Sequence, residues 1–373
     1  MSDNIHSPTI YKGIDIYNDG KEFSPEDGER MNFIQNKMMK FFKKINDSIF
    51  FCSDNKGIVY YLEFNTDSKL FKISNLENIC NDSKYILIDI IKSTKFDFYI
   101  SLNLNPCLNI FKIKENNNKK EVEKIQHINL RKNQNKNKYN KIYEINTKNN
   151  DCFILFSENK IELWLNNNHN NNINYECIQT LQIDNINNTN NINNDNINPD
   201  IISNIYKYDN ENLVLLNLNK FQIINAKIFE TKSKINKAYT PLIEIKNKIN
   251  IKAIEGQIEK ISSLFINKDY IFLGLTESLV FISIFYGEII QIYNIGRVLQ
   301  MKLTNDKKYI YTFVDKGENK YFFIKYKFIE FEGIKEEKKI EYKNWVYKFD
   351  IIENQNLLAI YNVKGLITLL SFD

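Results

Sequence analysis

The amino-acid sequence predicts an all-β protein, a seven-bladed β-propeller with low-complexity loop insertions. Three observations lead to this prediction: the chain is rich in residues that favour strands, it carries seven similar hairpin patterns, and these patterns recur at near-regular spacing. Their spacing is roughly 43 to 60 residues, near the ~40–45 residues of a propeller blade once insertions are allowed. The 373 residues are therefore interpreted as one domain spanning 1–373.

The composition favours strands over helices. The chain has 60 Ile, 26 Phe and 22 Tyr, but only 4 Ala and 11 Gly. β-branched and aromatic side chains suit the pleated surface of a sheet, whereas alanine suits helices. The hydrophobic fraction of 43% is enough for a sizeable core and excludes global disorder. The 58 Asn suggest an AT-rich coding bias, so composition overstates the physical preference.

The recurring unit is a pair of short apolar runs joined by a polar turn. In the first unit, Asp54, Asn55, Lys56 and Gly57 separate two apolar runs, and the glycine tolerates the positive φ that such turns require. The seven pairs of runs are 49–52 with 58–62, 98–102 with 108–113, 153–156 with 161–165, 213–216 with 221–225, 270–273 with 279–285, 309–314 with 321–328, and 357–361 with 366–372.

Further apolar runs lie upstream of most hairpins, for example 85–91 and 298–303, so four strands per blade are expected. A parallel α/β sheet is disfavoured because almost no helical segments lie between the runs. An open sheet edge invites aggregation, so a terminal strand should complete the last blade. We expect residues 9–17 to pair beside 366–372.

One segment, residues 29–45, has helical spacing. Met31, Ile34, Met38 and Phe41 recur at three- and four-residue intervals. A packed cap or a strand of the first blade misread as a helix is the simpler interpretation. A helix that binds a calmodulin-like protein or a membrane surface is the alternative.

Two polar insertions interrupt the pattern. Nearly half of residues 166–198 are Asn, and the segment cannot bury enough apolar surface to offset its ordering entropy, so a disordered loop is expected. Residues 114–141 are predicted to be a basic loop. A charge run is most often a solvated surface, but lysines can also neutralise phosphates without strict geometry. Arginine is rare and Tyr139 is the one aromatic residue in this insertion, which disfavours base stacking.

The sequence offers no recognisable catalytic chemistry. It lacks the phosphate-binding, dinucleotide-binding, nucleophile-elbow and zinc-protease motifs, so no enzyme activity, cofactor or metal is expected. His6, His127 and His169 lie outside the hairpins and are interpreted as solvated loop residues. The five cysteines are widely spaced, which suggests free thiols in a reducing compartment. No signal peptide and no apolar run of membrane-spanning length is found, so a nuclear, and also cytoplasmic, location is expected, with no membrane partner.

Several segments resemble the WD-repeat, non-catalytic subunit of eukaryotic tRNA guanine-N7 methyltransferase. Residues 53–60, Ser-Asp-Asn-Lys-Gly-Ile-Val-Tyr, are similar to the family's Ala-Asp-Lys-x-Gly-Asp-Val-Tyr. Residues 87–90 and 99–101 are similar to two family strands. Residues 103–108 then stand where the family has Asp-Arg-Asp-Glu-x-Ile. That charged turn is not kept, because Asn103, Leu104 and Asn105 replace its Asp, Arg and Asp.

The resemblance implies a propeller that docks and stabilises a separate catalytic methyltransferase subunit as a heterodimer and helps position tRNA. By family position, the partner-facing residues would be Asp54, Lys56, Asn103, Leu104 and Asn105. Four lysines that follow could reach the tRNA backbone: Lys112, Lys114, Lys119 and Lys120. The alternative is a general β-propeller interaction scaffold in another multi-subunit complex. An enzyme with an unrecognised pocket is a third class.

Overall fold

A computed structural model of the chain defines its fold. The structure describes residues 9–15, 22–23, 39–54, 57–76, 79, 86–104, 106–116, 119–130, 139–145, 147–157, 160–167, 173–182, 202–207, 209, 211–217, 222–232, 239–251, 262–362 and 366–372.

The described residues form seven antiparallel sheets: six are meanders of four consecutive strands, and one combines strands from near both ends of the chain. Sheet one contains β3 (Met39–Asn46), β4 (Ile49–Asp54), β5 (Val59–Asn65) and β6 (Leu70–Leu76). Sheet two contains β7 (Leu87–Lys92), β8 (Tyr99–Asn103), β9 (Cys107–Asn116) and β10 (Lys119–Asn129). Sheet three contains β11 (Tyr139–Glu144), β12 (Cys152–Ser157), β13 (Lys160–Asn166) and β14 (Tyr175–Gln182).

Sheet four contains β15 (Ile202–Lys207), β16 (Asn212–Asn217), β17 (Gln222–Lys232) and β18 (Tyr239–Asn250). Sheet five contains β19 (Ser262–Phe265), β20 (Tyr270–Gly274), β21 (Leu279–Ser283) and β22 (Ile289–Tyr293). Sheet six contains β23 (Arg297–Leu303), β24 (Tyr309–Asp315), β25 (Tyr321–Ile329) and β26 (Gly333–Tyr342). Sheet seven contains β27 (Val346–Ile352), β28 (Leu357–Asn362), β29 (Leu366–Ser371), β1 (Thr9–Asp15) and β2 (Glu22–Phe23).

This arrangement confirms the predicted class, a seven-bladed β-propeller. Each of the seven hairpins predicted from the sequence is the central pair of one sheet, such as β4 with β5 and β28 with β29. The predicted closure is also confirmed. β1 pairs antiparallel with β29, with Thr9 opposite Ser371 and Tyr11 opposite Leu369. The first strand of the chain therefore completes the sheet built by its last strands.

The chain divides into two compact units. The first consists of Met1–Ile86, Glu115–Lys120 and Ala253–Asp373, and the second of Leu87–Lys114 and Glu121–Lys252. In the first unit, apolar clusters join sheet one to seven, seven to six, and six to five. In the second unit, clusters join sheet two to three, and three to four. Burial of apolar area between neighbouring sheets is the main stabilising contribution in each unit.

Two expectations are corrected, and the segment 29–45 follows its simpler interpretation where it is described. Its C-terminal part is a strand of the first blade, since β3 begins at Met39; residues 29–38 lie outside the described part. The basic insertion 114–141 contains β10, and the Asn-rich insertion 166–198 contains β14. Residues 131–138, 168–172 and 183–198 of these insertions lie outside the described part. Both β10 and β14 are outer strands of their sheets, so much of their surface is exposed to solvent. Their sequences therefore have the polar composition that is typical of loops.

Candidate functional site

The turn at Asp54 holds the hairpin of β4 and β5 together. The Asp54 side chain is buried, and its Oδ1 accepts a hydrogen bond from the backbone N of Ile58 at 2.9 Å. The Asp54 backbone N donates to the Ile58 carbonyl at 3.1 Å, and Gly57 has φ +81°. Asp54 therefore stabilises its own turn, and its buried side chain offers no contact surface to a partner. Lys56 lies outside the described residues.

In the second predicted partner-facing turn, as in the first, one assigned residue is buried and another lies outside the described residues. Asn103 is buried at the end of β8, and its Nδ2 donates to Cys107 Sγ at 3.4 Å. Leu104 follows it and is 52% exposed. Asn105 lies outside the described residues. Of the five residues assigned by family position, Leu104 is thus the one whose described side chain presents surface to a partner.

The four candidate phosphate-binding lysines differ in their environments. Lys114 Nζ is 2.9 Å from Glu123 Oε1 on the neighbouring strand β10. Lys120 is half-buried and pairs with both Glu63, at 3.1 Å, and Glu115, at 2.9 Å. Burial alone would lower the pKa of Lys120, but the two carboxylates outweigh it and raise the pKa above its ordinary value. Lys114 and Lys120 are therefore already neutralised within the chain.

Lys112 and Lys119 remain as lysines that could meet a phosphate. Lys112 is half-buried on β9 and Lys119 is exposed at the start of β10. His127, expected in a solvated loop, instead lies on β10 and its Nδ1 is 2.7 Å from Asn109 Oδ1. The cysteines described, Cys52, Cys107, Cys152 and Cys177, are free thiols as predicted.

Sheet three contains a buried polar network that the sequence did not indicate. Glu162 Oε1 accepts hydrogen bonds from the Tyr139 hydroxyl at 2.8 Å and from Lys160, and Trp164 Nε1 donates to Glu162 Oε2 at 3.2 Å. All four residues are buried, so the network satisfies its own charges within the sheet. The described residues contain no group of His, Cys, Asp and Glu able to hold a metal ion.

The most prominent surface feature is a group of exposed aromatic side chains on sheets five and six. Phe285 and Tyr286, in the turn between β21 and β22, are 71% and 68% exposed, and their rings meet edge to face at 4.9 Å. The turn is held by its backbone, because Gly287 N donates to the Ser283 carbonyl at 2.9 Å. A rigid turn therefore presents two large apolar groups to solvent.

Phe331, at the tip of the hairpin between β25 and β26, is 75% exposed and extends this aromatic group. Its ring packs edge-on against the ring of Tyr270, the first residue of β20, with the ring centroids 6.3 Å apart. The backbone N of Ile284 donates to the carbonyl of Asp269, which precedes Tyr270, at 2.7 Å. The tip of sheet six and the aromatic turn of sheet five therefore lie at the same end of their sheets.

Phe331 has a left-handed backbone, with φ +66°. A bulky residue is rarely found in this region because its side chain crowds the backbone. The hairpin tip is fixed from behind, where the Tyr293 hydroxyl accepts a hydrogen bond from Ile334 N at 3.0 Å and donates one to Gln291 Oε1 at 2.8 Å. Neighbouring contacts thus hold an exposed phenylalanine in a strained conformation.

Carboxylates share the turns that carry the exposed aromatic residues. Asp269, Glu288, Glu330 and Glu332 lie in the turns 266–269, 284–288 and 329–333, which contain one lysine, Lys268. Burial raises the pKa of Tyr270, and the negative charges of Asp269 and Glu330 raise it further. We call Phe285, Tyr286 and Phe331, together with these four carboxylates, the acidic-aromatic surface.

The amino-acid sequence does not predict this surface. Its local signals are a Phe-Tyr pair before Gly287 and a Glu-Phe-Glu-Gly turn ending at Gly333, both at positions where turns normally carry small polar residues. Neither signal shows that the two turns lie at the same end of their sheets, because they belong to different sheets and lie about 45 residues apart.

Comparison with solved structures identifies the fold. The WD40 β-propeller domain of Doa1 matches with a TM-score of 0.55 and 8% identity, covering 91% of this chain and 94% of that chain. A chain of the mitotic checkpoint complex matches with a TM-score of 0.57 and 11% identity, covering 100% and 94%. The structure of U3-55K matches with a TM-score of 0.56 and 7% identity, covering 91% and 96%.

The chain thus has the WD40 β-propeller fold, and identities this low show the fold alone. No protein-family model and no curated protein matches the sequence. Among the helices of the described residues, none is long and apolar enough to cross a membrane.

Proposed function

We propose that this chain is a non-catalytic protein-interaction scaffold that docks a partner on its acidic-aromatic surface. The exposure of Phe285, Tyr286 and Phe331 on turns with fixed backbones is the observation that supports this most directly. Several exposed aromatic groups at one end of two neighbouring sheets are unusual on a protein surface, and aromatic side chains are enriched at the centres of protein interfaces. The WD40 fold supplies a rigid platform, and such propellers are typically scaffolds without catalytic machinery.

The test is affinity purification of the tagged full-length chain, compared with a Phe285→Ala and Phe331→Ala double variant. Trp345→Ala is the matched control, since Trp345 is also an exposed aromatic residue and lies in the loop between β26 and β27. A protein that co-purifies stoichiometrically with the wild type and the control, but not with the double variant, supports the proposal. Absence of any stoichiometric partner under native conditions contradicts it.

A finer form of the proposal names the complex: the non-catalytic subunit of a tRNA guanine-N7 methyltransferase, located in the nucleus. It is supported by the sequence resemblance over residues 53–60 and 103–108, and by Leu104, which is exposed beside the second of these turns. The catalytic partner would hold the methyl donor, and this chain would order that partner and help position tRNA through Lys112 and Lys119.

This finer form is tested by measuring N7-methylguanosine in tRNA after depletion of the protein. A loss of the modification, restored by the wild-type chain, is expected if the chain orders the catalytic subunit. An unchanged content, together with no methyltransferase among the co-purifying proteins, contradicts the finer form and leaves the general scaffold standing. Imaging of the tagged chain tests the nuclear location.

A further inference from the structure

The charge on the acidic-aromatic surface is opposite in sign to the charge of the chain. The three turns that form it, at 266–269, 284–288 and 329–333, carry four carboxylates and one lysine, a formal charge of −3, whereas the whole chain is +4. None of the four carboxylates is in an ion pair with a lysine or arginine of the described residues. Their negative charge is thus not neutralised by an ion pair within the described part of the chain.

The outer strand of sheet six is an exposed surface without this excess of negative charge. β26 interleaves Lys335, Lys338 and Lys339 with Glu336, Glu337 and Glu341, so its charges balance. Mixed charges of this kind keep an exposed strand soluble and discourage edge-to-edge pairing. At the tip of the same hairpin the pattern changes to Glu-Phe-Glu, with no lysine beside the aromatic ring.

The negative charge of the acidic-aromatic surface determines which chemical class of ligand it attracts. Nucleic acid, phosphopeptides and acidic peptides are repelled by carboxylates, whereas lysine and arginine side chains are attracted to them over about a Debye length, ~8 Å at physiological salt. The faces of Phe and Tyr rings also attract cations, by about 0.5–1 kcal/mol at exposed sites. Carboxylates and exposed rings therefore favour the same ligand groups.

We propose that the acidic-aromatic surface binds a segment of a partner protein in which lysine or arginine side chains flank an apolar residue. The apolar residue packs on Phe285, Tyr286 and Phe331, and the flanking cations meet Glu288, Glu330 and Glu332. This inference rests on the proposed scaffold function and adds the chemical class of its partner. The fixed hairpin tip reduces the ordering entropy lost on binding, since Tyr293 already holds it.

The experiment is a selection from a random peptide library displayed on phage, using the full-length chain as bait. Selected peptides are synthesised with a fluorescent label, and their dissociation constants are measured by anisotropy at low and high salt. We expect enrichment of peptides with lysine or arginine beside aromatic or aliphatic residues, and affinity that falls as salt is raised. Phe331→Ala is expected to weaken binding about tenfold or more, as for a central interface aromatic.

A second variant protects the test against misfolding of Phe331→Ala. Glu330→Lys with Glu332→Lys reverses the charge of two exposed tip residues and should abolish binding of the basic peptides while strengthening that of acidic ones. Glu341→Lys on β26 is the matched charge control and Trp345→Ala the matched aromatic control; both should bind as the wild type does. Circular dichroism and thermal melting confirm that each variant is folded.

Two results overturn the inference, and they separate it from the proposed function. Selected peptides that bind this surface but are acidic or uncharged show that the site is right and the partner class wrong. Selected peptides whose binding is insensitive to the Phe331 and Glu330/Glu332 variants show that docking occurs elsewhere, which leaves the scaffold function intact. The proposed scaffold function is contradicted by a different result: an affinity purification in which no stoichiometric partner of the native chain is found.

Discussion

The hydroxyl of Tyr293 lies 1.9 Å from the position that a Cβ atom would occupy at Gly333. The two residues belong to neighbouring sheets, and the contact fixes the hairpin tip that carries Phe331. Gly333 also has φ +96°, which only glycine adopts readily. A side chain at this position would therefore both strain the backbone and displace a hydroxyl that accepts a hydrogen bond from Ile334.

The first prediction concerns this contact. Gly333→Ala is expected to lower the free energy of unfolding by about 3 kcal/mol, since backbone strain and steric overlap add. Gly317→Ala is the matched control: Gly317 has φ +82° but no atom within 4 Å of its Cβ position, so only about 1 kcal/mol is expected. Urea unfolding of both variants measures the difference.

A double variant identifies the source of the Gly333→Ala effect. Tyr293→Phe removes the hydroxyl, so the combined variant should be more stable than the sum of the single effects predicts. Equal losses for Gly333→Ala and Gly317→Ala, or strict additivity with Tyr293→Phe, would show that the Tyr293 contact does not constrain the tip.

The second prediction concerns pH. Burial raises the pKa of the Asp151 carboxyl above its ordinary value, although hydrogen bonds from Tyr175 and Asn166 partly oppose the shift. The folded state then holds the proton more tightly than the unfolded state. Stability from this group is therefore full below the unfolded pKa, about 3.9, and is lost as pH rises toward the folded pKa.

Asp151→Asn removes the titration and keeps the shape of the side chain. The wild type should lose stability relative to this variant as pH rises from about 4 to about 7, because only the wild type must ionise a buried carboxyl. Urea unfolding of both proteins across this range gives the difference, in which the titration of the other carboxylates cancels. A difference that does not change with pH would contradict the raised pKa.

The third prediction separates the four lysines, within the tRNA form of the proposal. Lys112→Ala with Lys119→Ala should weaken tRNA binding and reduce the dependence of log affinity on log salt, by about one or less per phosphate contact. Lys114→Ala with Lys120→Ala should leave tRNA affinity nearly unchanged, because Glu123, Glu63 and Glu115 already neutralise these lysines. Filter binding at several salt concentrations compares the two variants.

Equal losses of tRNA affinity in both double variants would show that the intramolecular ion pairs open on binding. Neither double variant should dissociate the protein from a catalytic partner, since these lysines are not at the turns assigned to that contact. Loss of the protein pair in either variant would place the partner on sheet two.

The fourth prediction concerns the Asn-rich segment. Deletion of residues 185–198, which lie between β14 and β15, should change the melting temperature little, because closure entropy changes by only ~0.6 kcal/mol per doubling of loop length. Replacing Ile178 and Leu181 of β14 with Ser should lower it clearly, since both side chains pack against the core of sheets three and four. A drop of more than a few degrees for the deletion would show that the segment packs.

The sequence alone determined the central part of every sheet. Each of the seven hairpins joins two runs whose side chains are buried on both faces, so apolar runs and glycine or asparagine turns are sufficient to locate them. The pairing of β1 with β29 also followed from the sequence, because residues 9–17 were the apolar run available near the N-terminus and an unpaired last strand is unfavourable.

The outer strands, the environment of each polar residue and the candidate site depend on tertiary packing and could not be predicted from the local sequence. An outer strand is half solvated, so β10 and β14 carry the polar composition of loops. Asp54 was assigned to a partner and is buried in its own turn, while Lys120 was assigned to phosphate and is held by Glu63 and Glu115. The meeting of Phe331 with Tyr270 depends on the packing of two sheets, and contacts between residues distant in the chain leave no pattern in the local sequence.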